Sequence, residues 1–195
     1  RYIYSLLPSQ REVISDVLTP KKSIVVGMPT SAGKSLLAEM QILFSIHNYT
    51  TPDFKPTVCY IVPTNALIDQ VRIDLQSDFK EFKFNIETAL PYYDVDEIEN
   101  EILTQQHIDI LISTPEKLEA LVRQNHPSIK NTRLVIMDEA HNLGDEARGS
   151  KFELVLSAIK QNMKEANFLL LSPFISNARE ISEWLADSPR NAGTI

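Results

Sequence analysis

Two short stretches carry side chains able to act on a phosphate. The first is Met28-Pro-Thr-Ser-Ala-Gly-Lys-Ser35, which follows the apolar run Ser23-Ile-Val-Val-Gly27. A glycine such as Gly33 lets the backbone approach an anion closely. Lys34 can reach the β and γ phosphates of a nucleoside triphosphate, and Ser35 offers a hydroxyl to Mg2+. The second stretch is Asp138-Glu139, at the end of Leu134-Val-Ile-Met137. Asp138 is suited to hold Mg2+ through water, and Glu139 to orient and deprotonate an attacking water. Alone, Gly-Lys-Ser also fits a solvated turn, and acids end many strands. Together the two stretches read as a nucleoside triphosphatase. The spacing departs from G-x-x-x-x-G-K-[ST], because Met28 stands at the first glycine position and Gly27 lies one residue early.

Such residues can meet only if the loops that carry them share an edge. Six β-rich runs are visible: Ser23–Gly27, Thr57–Val62, Phe84–Thr88, Ile108–Ser113, Arg133–Asp138 and Asn167–Ser172. Several are nearly all apolar, as strands covered on both faces are. Between them lie helical periodicities, for example Leu36, Leu37, Met40, Leu43 and Phe44, or Leu67, Ile68, Val71 and Leu75. Others are Val95, Ile98 and Ile102, then Phe152, Val155, Leu156 and Ile159, then Ile181, Trp184 and Leu185. The alternation predicts a doubly wound α/β fold with a mainly parallel sheet, in a single domain over 1–195. Ligands of such sheets bind where loops leave the strand C-termini.

Composition narrows the classes. The chain has 195 residues, 43% hydrophobic and 23% charged, with no apolar run long enough to span a membrane. It begins at Arg1 without a signal-peptide pattern and is expected to be a fragment of a longer protein. A single cysteine, Cys59, excludes an internal disulfide and a multi-thiolate metal site, and points to a reducing, intracellular compartment, cytoplasmic or nuclear. The net charge of −7 weighs against a protein that simply coats phosphates. It leaves open binding through helix N-termini and backbone amides. Two predicted helices offer such ends: Thr64, after Val62-Pro63, and Thr114, before Pro115, stand at N-cap positions. As residues alone, both are read first as ordinary caps.

Asp138-Glu-Ala-His141 resembles the DEAH box of superfamily-two helicases. The following Asn142-Leu-Gly-Asp-Glu-Ala-Arg-Gly149 is similar to the segment after that box in the superkiller-like DExH group. The resemblance runs from Leu7 to about Trp184 and covers the first of the two RecA-like lobes of such enzymes. It implies a RecA-like, three-layer αβα nucleoside triphosphatase domain. It implies ATP and Mg2+ as cofactors, single-stranded DNA or RNA as partner, and a second lobe elsewhere in the chain that carries the arginine fingers. Leu7-Pro-Ser-Gln10 resembles the segment whose glutamine reads adenine. Thr30, Ser31, Ala32, Gly33, Lys34 and Ser35 match the family loop that holds the phosphates, which accounts for the irregular spacing. Ser35 and Asp138 would hold Mg2+, with Glu139 as base and Lys34 on the phosphates. Pro63, Thr64, Thr114 and Pro115 match motifs that grip a nucleic-acid backbone. His141 and Ser172 match residues that couple hydrolysis to movement.

The sequence also departs from that family. Asn65 stands where an arginine is usual. Thr88–Asp94 lacks the usual glycine-rich signature, and its Tyr92 and Tyr93 are read as packing or a surface turn rather than base stacking. Ser172-Pro-Phe174 replaces Ser-Ala-Thr. Proline has no N–H, and a phenylalanine side chain forms no hydrogen bond. ATP turnover with altered coupling is therefore expected. The alternative is a diverged, non-unwinding module that binds ATP as a switch or scaffold. A small-molecule kinase fits poorly with Asp-Glu-Ala-His. Cys59 and Trp184 are read as core, the remaining histidines have no metal-ligand spacing, Asp94–Glu101 is read as a solvated face, and Asn177 with Glu180 as a capping box.

Overall fold

The computed structural model describes residues 5–29, 32–89, 106–140, 149–174, 177–186 and 191–194, the side chains at 149–152 and 154 excepted. Six α-helices are described: α1 Pro8–Val17, α2 Lys34–Tyr49, α3 Asn65–Asp78, α4 Pro115–Arg123, α5 Gly149–Asn162 and α6 Ala178–Leu185. The strands are β1 Ser23–Gly27, β2 Thr57–Ile61, β3 Ile86–Thr88, β4 Ile110–Ser113, β5 Thr132–Met137, β6 Asn167–Ser172 and β7 Ala192–Thr194. They form one seven-stranded sheet in the order β3-β4-β2-β5-β6-β1-β7. Every strand pair is parallel.

The period-2 alternation of a strand sorts the core into two layers. Val25, Cys59, Ile61, Leu111, Val135, Met137 and Leu170 pack with Leu118, Leu121, Leu156, Ile159 and Leu185 from α4, α5 and α6. Ile24, Val26, Val58, Tyr60, Ile112, Ile136 and Leu171 face the other way, onto Val13, Val17, Leu37, Ile42, Ile68 and Leu75 from α1, α2 and α3. Both faces are covered, so the strands need no polar side, and the three-layer αβα architecture follows.

The boundaries differ from the sequence reading where tertiary contacts intervene. Phe84 lies outside β3 and stacks on Phe82, with Phe79 edge-on to both. Ile108 lies outside β4, and its carbonyl accepts the Thr57 hydroxyl. Val62 and Asp138 fall just beyond β2 and β5, yet their N–H groups still bond to Ser113 and Ile61 at 3.0 Å. Strand β7 was not expected, because Ala192-Gly-Thr194 has no apolar pattern and pairs only through its backbone with β1. Trp184 corrects another expectation: the residue is 41% exposed, with the Lys160 ammonium 5.0 Å from the centre of its ring. Asn177 does start α6, but it forms no capping box, since no side-chain cap bond is made. The expected helix through Val95, Ile98 and Ile102, with Tyr92, Tyr93 and the acidic stretch Asp94–Glu101, lies outside the described residues.

Candidate functional site

The C-terminal ends of β1 and β5 bring the described phosphate-loop residues, Asp138 and Glu139 to one edge. Strand β6 sits between β1 and β5, so the phosphate-loop stretch and the acidic pair flank it. Gly27 pairs with Ser172, and the Met28 N–H donates to the Ser172 carbonyl at 2.9 Å, tying the loop to β6 as it leaves the sheet.

Gly33 begins α2 in the left-handed region, at φ 75°. Its N-cap residue, Gly33, makes no side-chain cap bond, so among the described residues the N-terminal end is open to a ligand. Gln10 holds the turn in place. Its side-chain nitrogen donates to the carbonyls of Ala32 and Gly33, each at 3.1 Å, and its oxygen accepts the Leu7 N–H at 2.9 Å. The amide is thus spent on the loop and on its own helix, a role that the sequence did not reveal. Lys34 is 6% exposed, and its ammonium has no hydrogen-bond partner among the described residues. Glu139, at 3.9 Å, is its counter-charge.

Asp138 follows Ile136 on the α2 side of the sheet, in step with the strand period. One carboxylate oxygen accepts the Glu139 N–H at 2.9 Å, and the other accepts the Tyr60 hydroxyl at 3.5 Å. Burial raises its pKa above the ordinary carboxylate value; the Glu139 N–H, Lys34 and Tyr60 pull the other way. Tyr60 is itself pushed well above the usual phenol range, first by burial and then by Asp138 and Glu39. Glu139 has φ 53°, uncommon for a residue with a Cβ, and this turns the chain sharply off the strand.

These residues fit a nucleoside triphosphate with its cation. A buried ammonium without a hydrogen bond and an uncapped helix N-terminus are what an anion would satisfy. Among the described residues no cluster of three or more His, Cys, Asp or Glu could hold a metal unaided. Mg2+ needs none, because it usually takes one or two carboxylates and completes its shell with phosphates and water.

Two further strand ends carry the other predicted residues. Thr64 caps α3 by position, but its hydroxyl makes no cap bond. Thr64 and Asn65 are exposed, and Pro63 is half-buried. Thr114 caps α4 with its hydroxyl, which accepts the Lys117 N–H at 3.5 Å, and Pro115 fills the first turn. The Ser172 hydroxyl accepts the Phe174 N–H at 3.2 Å and donates to the Phe174 carbonyl at 2.9 Å. Thr30, Ser31 and His141 lie outside the described residues. Tyr60 was missed, since a tyrosine in the apolar run Val58-Cys-Tyr-Ile-Val62 reads as core. Cys59 is core as expected, its thiol pushed up to about 12 by burial, against a Thr132 contact that lowers it. No helix among the described residues is long and apolar enough to cross a membrane.

Comparison with known proteins gives the same picture. The DEAD/DEAH box helicase family profile matches residues 7–181. The chain is 32% identical over 186 residues to an ATP-dependent DNA helicase Hel308 of Methanococcus vannielii, covering 94% of this chain and 23% of the relative. It is 28% identical over 190 residues to the Hachiman protein HamB of Bacillus cereus, covering 96% and 16%. The probable ATP-dependent DNA helicase HFM1 of Homo sapiens is 28% identical over 197 residues, covering 94% and 13%. This chain therefore spans less than a quarter of the length of these relatives. The crystal structure of the DUF1998 helicase MrfA shares the fold, with a TM-score of 0.79 and 23% identity over 100% of this chain and 31% of that one. With the family profile covering most of its length and the sheet order setting the matching motifs along one edge, the chain belongs to the DEAD/DEAH box helicase family.

Proposed function

We propose that the chain is the first RecA-like, ATP-binding lobe of a longer ATP-dependent helicase or translocase that moves on single-stranded DNA or RNA inside the cell. The observation that carries this reading is the buried Lys34 ammonium, which has no hydrogen bond among the described residues and lies 3.9 Å from Glu139. A triphosphate seated on the α2 N-terminus supplies the anion that this ammonium and the helix end are arranged for. Ser35 and Asp138 would hold Mg2+, which would neutralise charge building on the phosphates. Glu139 orients the attacking water and takes its proton. Thr30 and Ser31 would complete the phosphate cradle. Gln10 would read adenine only by exchanging its bonds to the loop carbonyls.

Pro63, Thr64, Thr114 and Pro115 would meet the nucleic-acid backbone at the N-termini of α3 and α4. The exposed Thr64 hydroxyl, unused in capping, supports the first contact. His141 and Ser172 would pass the state of the nucleotide to that surface. A second RecA-like lobe would close the site and bring an arginine finger, worth roughly 10³–10⁵ in rate in related phosphoryl transfers. The isolated lobe is accordingly expected to turn over ATP very slowly.

The 172–174 turn favours a second reading. Its hydroxyl is closed onto its own backbone, and Phe174, 73% exposed, replaces a polar relay. A module that binds ATP as a switch or scaffold, without unwinding, would tolerate this change. One experiment separates the two: ATP hydrolysis by the full-length protein alone, with single-stranded DNA and with single-stranded RNA, using Glu139→Gln as control. Stimulation by either polymer, lost in the control, supports the motor. ATP binding with equal, negligible turnover in all three overturns it in favour of the switch.

A further inference from the structure

The acidic strand end has a neighbour that no motif includes. Tyr60 lies in β2, 3% exposed, and pairs in register with Ile136 of β5. Both side chains point to the α2 face, so the next position on that face, just past the end of β5, is Asp138. The phenol reaches across and donates to the Asp138 carboxylate at 3.5 Å. The second carboxylate oxygen is already fixed by the Glu139 N–H at 2.9 Å. Asp138 is thus held from two sides, once by its own chain and once by the adjacent strand.

Strand β2 carries none of the residues assigned above to the nucleotide. It runs from Tyr60 straight through Val62 and Pro63 to Thr64 at the start of α3. We infer that Tyr60 is a positioning residue: it sets the Asp138 carboxylate for the cation and links it to the strand that ends at the α3 N-terminus. This rests on the nucleotide-binding reading above. The geometry suits the role. A bond of 3.5 Å is long for a hydroxyl and a carboxylate and has room to shorten. Bonds in empty sites commonly tighten once the ligand is in place. Tyr60 is 3% exposed, and the acidic side chains of Asp138 and Glu39 stand near enough to its phenol to act on it. Groups standing behind a metal ligand tune metal affinity in just this way.

The test uses the full-length protein and Tyr60→Phe, which removes one oxygen and keeps the ring. Affinity for a fluorescent ATP analogue is measured with EDTA and with Mg2+, and Mn2+ binding in the nucleotide complex is followed by electron paramagnetic resonance. The expected result is metal-free nucleotide affinity within about twofold of wild type, with the strengthening by Mg2+ reduced about three- to tenfold. The Mn2+ signal is expected to weaken in parallel. A double-mutant cycle with Asp138→Asn guards against a folding effect, because a direct contact makes the two losses non-additive. Additive losses, or a Tyr60→Phe variant that responds to Mg2+ as wild type does, overturn the role alone. A wild-type protein whose nucleotide affinity ignores Mg2+ overturns the nucleotide reading and this role with it.

Discussion

The Gln10 side-chain nitrogen lies 3.1 Å from the Gly33 carbonyl, and a Cβ built on Gly33 would stand 2.3 Å from that same nitrogen. The loop turn and the glutamine are therefore fitted to one another. Gly33→Ala places a side chain at φ 75°, which costs roughly 1–2 kcal/mol. It also pushes Gln10 off its carbonyls. A fall in melting temperature is expected, together with loss of nucleotide affinity of about tenfold or more. Calorimetry and fluorescent-nucleotide titration check both.

Gln10→Glu tests the same contact from the other side. It replaces a donor by a buried carboxylate that faces two carbonyl oxygens. A loss of about 1–3 kcal/mol is expected, more in neutral than in acid solution, because protonation restores one donor. Denaturant unfolding at two pH values measures it. Equal stability of the variant and wild type at neutral pH would rule the clamp out.

Lys34→Met separates ligand binding from folding. The ammonium is buried without a hydrogen bond among the described residues, and its counter-charge Glu139 is part-exposed at 3.9 Å, so it contributes more to the ligand than to the empty fold. The variant is expected to melt at or above the wild-type temperature without nucleotide, and to lose nucleotide affinity at least tenfold. Melting curves with and without ATP read both effects.

Asp138 gives the pH dependence. Burial lifts its pKa, so the folded lobe holds this proton to a higher pH than the unfolded chain does. Between the two values the folded state binds more protons, and stability falls as pH rises. The penalty is absent below the ordinary carboxylate range and complete above the raised value. Asp138→Asn is therefore expected to stabilise the nucleotide-free lobe at neutral pH, with the gain vanishing in acid. Metal binding runs oppositely: a proton competes with Mg2+, so Mg2+-dependent nucleotide affinity declines as pH drops through that raised value. Thermal melts across pH and Mg2+ titrations test the two halves.

Ser172→Ala opens the turn that its hydroxyl closes on Phe174. A loss of about 1–2 kcal/mol is expected. For a chain of this size that lowers the melting temperature by about 2–8 °C. Phe174→Ser removes an exposed ring and is expected to change stability by less than about 0.5 kcal/mol.

Much of this was legible because buried parallel strands write themselves as apolar runs. Ser23–Gly27 and Asn167–Ser172 appear in the fold with the bounds read from sequence. The loop glycine, Lys34, Asp138 and Glu139 were legible as chemistry because their types are unusual at strand ends. What stayed hidden depends on contacts distant in sequence. The Tyr60 phenol meets Asp138 across two strands, and no local pattern records that pairing. Gln10 was noticed, yet its partners, the carbonyls of Ala32 and Gly33, come from another element. Strand β7 borrows its existence from β1. Trp184 looked like core from its helical face, but α6 is short and turns that position outward.

One strand, β6, separates the phosphate-loop strand from the acidic strand. Neighbouring parallel strands lie about 4.8 Å apart, so β1 and β5 stand roughly 10 Å apart whatever their loops do. That interval acts as a fixed gauge. The gap between the ammonium-bearing loop and the carboxylate is ruled by backbone hydrogen bonds of β6 to β1 and β5, not by the loop side chains. Substitutions that alter loop chemistry should therefore be tolerated far more readily than a residue inserted or deleted within β6, which would shift the register on both sides at once.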